Sequence, residues 1–103
     1  MLIIIKNKET LLYDDFKFKC SVGKKGTKKN KIEGDQSTPK GKFSIGNIYY
    51  RADRLNKPIT KINKIIIKKN MGWCDDPNSK FYNKLIKIKK NSKISYERLF
   101  RRD

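Results

Sequence analysis

The chain is organised around Glu33-Gly34-Asp35-Gln36-Ser37-Thr38-Pro39-Lys40-Gly41-Lys42-Phe43-Ser44-Ile45-Gly46. Pro39 fixes its own φ and favours an extended Thr38, while the glycines give the backbone freedom to bend. Three polar side chains can hold the bend by hydrogen bonds to nearby amides: Asp35, Ser37 and Thr38. Apolar residues then recur in near-alternation at Phe43, Ile45 and Ile48. The segment therefore predicts a structured loop that leads into a strand over residues 42–50 with one buried face.

Short alternating or β-branched segments on both sides of this loop predict a mostly β domain. Strands are predicted over residues 2–6, 10–13, 16–22, 64–69 and 85–89. The first of them is expected to be buried, and turns at 7–9 and 14–15 would join the first three into an antiparallel meander. Residues 71–77 are predicted to form a tight turn. Only Tyr96–Arg102 is predicted to be a short C-terminal helix, with Ser95 as its N-cap. We expect one domain over residues 1–103.

The net charge of +17 is the strongest compositional signal in the 103 residues. Such a charge favours an acidic partner, such as nucleic acid or an anionic surface. However, 22 of the 27 basic residues are Lys, and Lys, Ile and Asn are the residues that AT-rich codons favour. Arginine, which makes bidentate contacts with bases, is scarce. We therefore expect no specific nucleic-acid partner, and a small basic module that binds nucleic acid or anionic glycan is the alternative interpretation.

The chain has no histidine, and its only cysteines are Cys20 and Cys74. Without histidine, neither a Cys-His nor a Ser-His catalytic pair can form within these residues. The same composition predicts no metal site and no cofactor. The Gly/Lys stretch Gly23–Asn30 lacks the spacing of a phosphate-binding loop, so it is expected to be a solvated loop. The apolar run after Met1 is too short for a signal-peptide core or a membrane span.

Four segments, in order, resemble the N-terminal part of the L,D-transpeptidase catalytic domain (the YkuD-type fold). They are Gly23–Gly26, Glu33–Phe43, Tyr49–Arg54 and Gly72–Asn83, the last beginning Gly-Trp-Cys-Asp-Asp-Pro. The resemblance implies a β-sandwich, a place in the periplasm or cell envelope, and peptidoglycan peptide stems as partners. It also implies a cysteine thiolate that forms a thioester with one stem and passes the acyl group to an acceptor amine.

The family's catalytic His and its Ser/Thr-x-Gly-Cys turn belong to a later segment, so the resemblance assigns no catalytic residue here. We expect an incomplete β-sandwich that is inactive alone and that self-associates through an unpaired sheet edge. A catalytically dead envelope scaffold is a further alternative. Cys20 is expected to be a small buried hydrophobe on a strand. Cys74 is not at the family's nucleophile position, and the neighbouring Asp75 and Asp76 would disfavour its thiolate.

Charged and aromatic residues at predicted strand ends are the candidate substrate-binding residues. They are Arg51, Asp53, Arg54, Trp73, Asp75, Asp76 and Tyr82. One interpretation is that they shape a wall of the substrate cleft. The other is that Trp73 and Tyr82 pack, while Asp53 and Asp75 cap turns or pair with arginine.

Overall fold

The computed structural model describes residues 2–102, and within them every regular element is a strand. The ten strands are β1 (Ile3–Ile5), β2 (Thr10–Tyr13), β3 (Phe16–Lys19), β4 (Thr27–Lys28), β5 (Thr38–Pro39), β6 (Ile48–Tyr50), β7 (Lys64–Ile66), β8 (Met71–Cys74), β9 (Leu85–Lys87) and β10 (Tyr96–Arg98). The mostly β prediction is confirmed. The chain divides into two compact units between Phe43 and Ser44. No helix in the described part of the chain is long and apolar enough to cross a membrane.

The first unit contains the predicted antiparallel meander, in the order β1-β2-β3. Asn7 forms the first turn by accepting a hydrogen bond from the amide of Glu9 at 3.0 Å. Asp14 has a φ of +49° in the second turn, a conformation that Asp and Asn tolerate better than most residues. The prediction that β1 is buried is wrong, because Ile3, Ile4 and Ile5 are each about half exposed. The meander offers only one layer, so nothing within it covers these side chains.

The second unit contains an antiparallel sheet in the order β10-β8-β9 and the parallel pair β6–β7. Among the described residues only Tyr50 and Cys74 form a buried apolar core, and both belong to this unit. Residues 71–74 were expected to be part of a turn. They form the central strand β8 instead, because Gly72 allows the side chains of Ile88 and Tyr96 to approach its backbone closely.

The predicted C-terminal helix is wrong. Tyr96–Arg98 is the strand β10, which pairs with β8, and the amide of Leu99 donates to the carbonyl of Met71 at 3.1 Å. A seven-residue helix has a costly nucleus and few bonds to repay it. The free edge of β8 offers this segment backbone partners without that cost, so the strand is formed.

The strand expected over residues 42–50 forms only at its C-terminal end, Ile48–Tyr50. The amide of Ile48 donates to the carbonyl of Asn63 at 2.8 Å, which starts the pairing with β7. The amide of Lys40 still donates to the carbonyl of Lys28 at 2.9 Å, but residues 41–47 are not paired in a strand. The predicted buried face is also wrong here, because Phe43 is 68% exposed and Ile45 is 63% exposed. Alternation of apolar residues therefore did not suffice to make a strand without a neighbour.

Candidate functional site

Asp35 is the centre of the loop in the first unit. Its Oδ1 accepts hydrogen bonds from Lys31 Nζ at 2.6 Å, from the Ser37 hydroxyl at 2.7 Å and from the Ser37 amide at 3.0 Å. Its Oδ2 accepts from the amide of Ile32 at 2.9 Å. These donors hold the pKa of the Asp35 carboxyl well below its usual range, and the hydrogen bond from the Lys31 ammonium has the largest effect. The predicted role of Asp35 as an organiser of the bend is confirmed.

Gly23 joins the first two resembling segments into one folded loop. Its amide donates to Thr38 Oγ1 at 2.7 Å, and the amide of Lys25 donates to the carbonyl of Gln36 at 2.9 Å. The strands β4 and β5 then pair in parallel. The expectation of a solvated loop over Gly23–Asn30 is right for its lysines, which are exposed, but Thr27–Lys28 form β4 and Gly23 is packed against Gln36 and Ser37. This contact lies between residues 13 or more positions apart, so no local pattern indicated it.

Arg51 is the centre of a second network, in the second unit. Its guanidinium forms a forked pair with Asp53, with Nε to Oδ1 at 2.7 Å and Nη2 to Oδ2 at 2.6 Å. The pairing lowers the pKa of the Asp53 carboxyl and raises that of Arg51. The Arg51 side chain is 13% exposed despite its charge. The alternative in which Asp53 pairs with arginine is therefore confirmed.

Arg51 and Arg54 both bind the backbone of the C-terminal segment. Arg51 Nη1 donates to the carbonyl of Arg101, and its guanidinium carbon lies 3.5 Å from the centre of the Phe100 ring. Arg54 Nη2 donates to the carbonyls of Arg101 and Arg102. We call residues 51, 53, 54 and 100–102 the arginine clamp. The sequence did not predict the part of the clamp at residues 100–102, because the two guanidinium groups bind backbone carbonyls there and no side-chain motif marks such acceptors.

Trp73 is positioned by two polar and aromatic contacts. Its indole N–H donates to Asn83 Oδ1 at 2.9 Å, and its ring meets the Tyr49 ring edge to face at 6.0 Å. Asn83 itself has a φ of +58°, and its amide donates to the carbonyl of Cys74 at 2.8 Å. The Tyr49 contact brings the third and fourth resembling segments together. Asn83 belongs to the last resembling segment, but no sequence pattern indicates it as a site residue.

Cys74 is completely buried, whereas Cys20 is half-buried, and both are free thiols. The Cys20 Sγ lies 4.0 Å from the carbonyl oxygen of Asn7, at the limit of a weak S–H donor contact. The cysteine of the Gly-Trp-Cys-Asp-Asp-Pro segment therefore acts as a core residue. The backbone of Cys74 is hydrogen-bonded on both sides: Cys74 pairs with Tyr96 of β10, and its amide donates to the carbonyl of Lys84, just before β9.

The acidic pair after β8 has two different environments. Asp76 Oδ1 accepts from the amide of Asn78 at 3.0 Å, which is a turn-forming contact. Asp75 Oδ1 is buried and has no hydrogen-bond partner among the described residues, although the Asp75 amide donates to Ser95 at 3.3 Å. Tyr82 lies in the following loop and is 37% exposed. Within residues 2–102 no group of three or more Cys, Asp or Glu side chains is placed to hold a metal ion.

The comparisons with known proteins agree with this arrangement of segments. The family model described as "L,D-transpeptidase catalytic domain" (YkuD) matches residues 1–101 of the 103. Searches of curated proteins and of solved structures found no match. The matched range covers the Asp35 loop, the β8 segment and all of the arginine clamp except Arg102.

Proposed function

Because this chain belongs to the YkuD family of L,D-transpeptidase catalytic domains, we propose that it provides the framework and part of the substrate wall for acyl transfer between peptidoglycan stem peptides. The observation that carries the proposal is the family match over 1–101, which includes the Asp35 loop, the β8 segment and all of the arginine clamp except Arg102. The natural place for such a protein is the cell envelope, where its substrate is found. The sheet β1–β3 would belong to an incomplete form of the family's β-sandwich, in which its apolar face is left exposed.

The family reaction needs a thiolate that attacks the carbonyl carbon of a stem peptide. The new C–S bond forms a thioester, and the C–N bond breaks as the leaving amine takes a proton. An acceptor amine then attacks the thioester, so a new amide replaces the C–S bond and the thiol is regenerated. The nucleophile needs a base to take its proton, and the tetrahedral oxyanion needs hydrogen-bond donors.

We propose that residues 1–103 do not perform this chemistry alone. Cys74 has no exposed surface, and an attacking sulfur must reach a carbonyl carbon. Cys20 is half-buried at the end of the meander, and its Sγ lies 4.0 Å from the carbonyl oxygen of Asn7, which is not a base that could take the thiol proton. The chain also contains no histidine. Activity would therefore need a thiol and a base that these residues do not supply.

We propose that the substrate wall is formed by the residues around the end of β8: Trp73, Asp75, Asp76 and Tyr82. Tyr82 offers partly exposed aromatic surface. Asp75 Oδ1 has no hydrogen-bond partner among the described residues, and after a small movement it could accept a hydrogen bond from a peptide N–H. The arginine clamp has another role in this proposal. It fixes the direction of the segment after β10, and Arg51, Asp53 and Arg54 would shape the wall only indirectly.

Stem-peptide binding and thioester formation test the two parts of the proposal separately. The purified chain is mixed with a diamino-acid tetrapeptide stem and an amine acceptor, and intact mass is followed. We expect no acyl adduct on either cysteine. Binding is followed by NMR at constant ionic strength, where Tyr82→Ala should weaken it about threefold or more and Phe81→Ala should leave it unchanged. Phe81 is a matched control, because it is the exposed aromatic neighbour of Tyr82.

Either result can contradict the proposal. Turnover by the chain, or an acyl adduct on Cys20 or Cys74, would overturn the claim that it needs an external nucleophile. If the wild-type chain retained the stem no better than an unrelated lysine-rich protein of equal charge, the substrate wall would be rejected.

A further inference from the structure

The meander has one face made entirely of apolar side chains. Residues that are directly opposite each other in the register lie on the same side of a sheet. Two rows cross the three strands in this way: Ile3 lies opposite Tyr13, which lies opposite Phe16, and Ile5 lies opposite Leu11, which lies opposite Phe18. We call these six residues the meander face: Ile3, Ile5, Leu11, Tyr13, Phe16 and Phe18. The Phe16 and Phe18 rings lie 6.2 Å apart, which agrees with this assignment.

The meander face is open to solvent. Phe16 is 62% exposed and Phe18 is 51% exposed, while Ile3 and Ile5 are each about half exposed. The lysines of β3, Lys17 and Lys19, alternate with the phenylalanines and so lie on the opposite side of the sheet. A continuous apolar surface of this kind marks a site of association.

The two ends of the meander carry opposite charges. The turn between β2 and β3 contains the exposed Asp14 and Asp15. The other end contains Lys6 and Lys8 in the first turn and Lys19 at the end of β3, against Glu9 alone. The sheet is therefore acidic at one end and basic at the other.

We propose that the meander face packs against the meander face of a second copy of this chain, as an antiparallel, two-fold symmetric sandwich. A two-fold axis in the plane between the sheets, perpendicular to the strands, places the acidic turn of each copy over the basic end of the other. Facing sheets pack about 10 Å apart, close to the screening length of about 8 Å at physiological ionic strength, so charges at the rim still interact. Lys17 points away from the contact.

The contact area predicts a weak dimer. Phe16 and Phe18 together expose roughly 170–280 Å² if each ring has the usual 150–250 Å². The two isoleucines add a comparable amount, so each copy offers less than the roughly 800 Å² per partner of a standard interface. The net charge of +17 on each copy also opposes association. We therefore expect a reversible dimer with a dissociation constant roughly in the micromolar to millimolar range.

Sedimentation velocity of the 103-residue chain tests this inference, which goes beyond acyl transfer and does not depend on it. The concentration is varied from about 10 µM to about 1 mM, a range that spans weak association. The wild type should shift from monomer towards dimer, and Phe18→Lys should remain monomeric. Asp15→Lys and Lys8→Glu should each weaken the dimer by about three- to tenfold, because each creates like-charge contacts at both ends of the dimer.

An equal mixture of Asp15→Lys and Lys8→Glu should restore association to near the wild-type level, since both end contacts of the mixed dimer again pair opposite charges. Lys24→Glu, in an exposed loop of the same unit, changes the net charge as Lys8→Glu does and should not weaken the dimer. A wild type that is monomeric throughout overturns the inference. Association that survives Phe18→Lys would place the contact at a sheet edge, and a mixture no stronger than the single variants would exclude the antiparallel arrangement.

Discussion

Gly23→Ala tests whether the two glycine-bearing segments of the first unit fold as one loop. An alanine Cβ at this position would lie 2.5 Å from the Gln36 carbonyl oxygen, 2.6 Å from Ser37 Cα and 2.7 Å from Ser37 C. These are backbone atoms, so a flexible side chain cannot move away and the loop itself must shift. Overpacking of this kind typically costs about 1–3 kcal/mol.

The same shift would strain two hydrogen bonds across the loop. They are the bond from the Gly23 amide to Thr38 Oγ1 at 2.7 Å and the bond from the Lys25 amide to the Gln36 carbonyl at 2.9 Å. Each contributes about 0.5–1.5 kcal/mol, while alanine lowers the entropy of the unfolded chain by about 0.4–1 kcal/mol in the opposite sense. We expect a net loss of about 2–4 kcal/mol, which is large beside the roughly 5–15 kcal/mol of a typical domain.

Urea denaturation monitored by circular dichroism measures the loss, and amide exchange at Thr38 and Lys40 locates it. Gly46→Ala is the control, because an alanine Cβ there meets no atom within 4 Å and the residue does not have a positive φ. That variant should be as stable as the wild type or slightly more stable. If Gly23→Ala changed the free energy of unfolding by less than about 0.5 kcal/mol, with unchanged exchange at Thr38, the packed loop would be refuted.

Three further predictions follow from the networks. Folding lowers the pKa of Asp35, so the ionised carboxylate should stabilise the folded protein fully above the unfolded-state pKa near 3.9, and this stabilisation should decline as the pH falls below that value. Asp35→Asn should remove this part of the pH dependence of the free energy of unfolding, measured by urea denaturation. Iodoacetamide should modify Cys20 in the native protein and Cys74 only after denaturation, and equal native rates by mass spectrometry would contradict the buried position of Cys74. Arg51→Lys keeps the charge but loses the fork, so residues 100–102 should become more mobile; unchanged heteronuclear NOEs there would show that the clamp does not hold them.

The sequence predicted the parts of the fold that depend on local chemistry. The meander followed from the alternation in 16–22, from the short segment 10–13 and from the turn residues between the strands, although the third strand ends at Lys19. The bend at Asp35 followed from a short carboxylate surrounded by amides that it could accept from. The family resemblance, carried by four segments in order, was confirmed over 1–101.

What the sequence missed depends on partners distant along the chain. Tyr96–Arg98 became a strand because β8 offered a free edge. Residues 42–47 did not form the predicted strand because no strand among the described residues lies beside them to pair with. The arginine clamp depends on Arg51 reaching a carbonyl 50 residues away.

Sequence alone thus determined the β-rich class, the turns of the meander, the bend at Asp35 and the family, since all of these are encoded in neighbouring side chains and in motif order. Only the tertiary structure decided that Cys74 is a core residue and that Arg51 binds its own chain. Burial and long-range hydrogen bonding are properties of which segments meet, and that is settled by the competition among all possible partners rather than by any one of them.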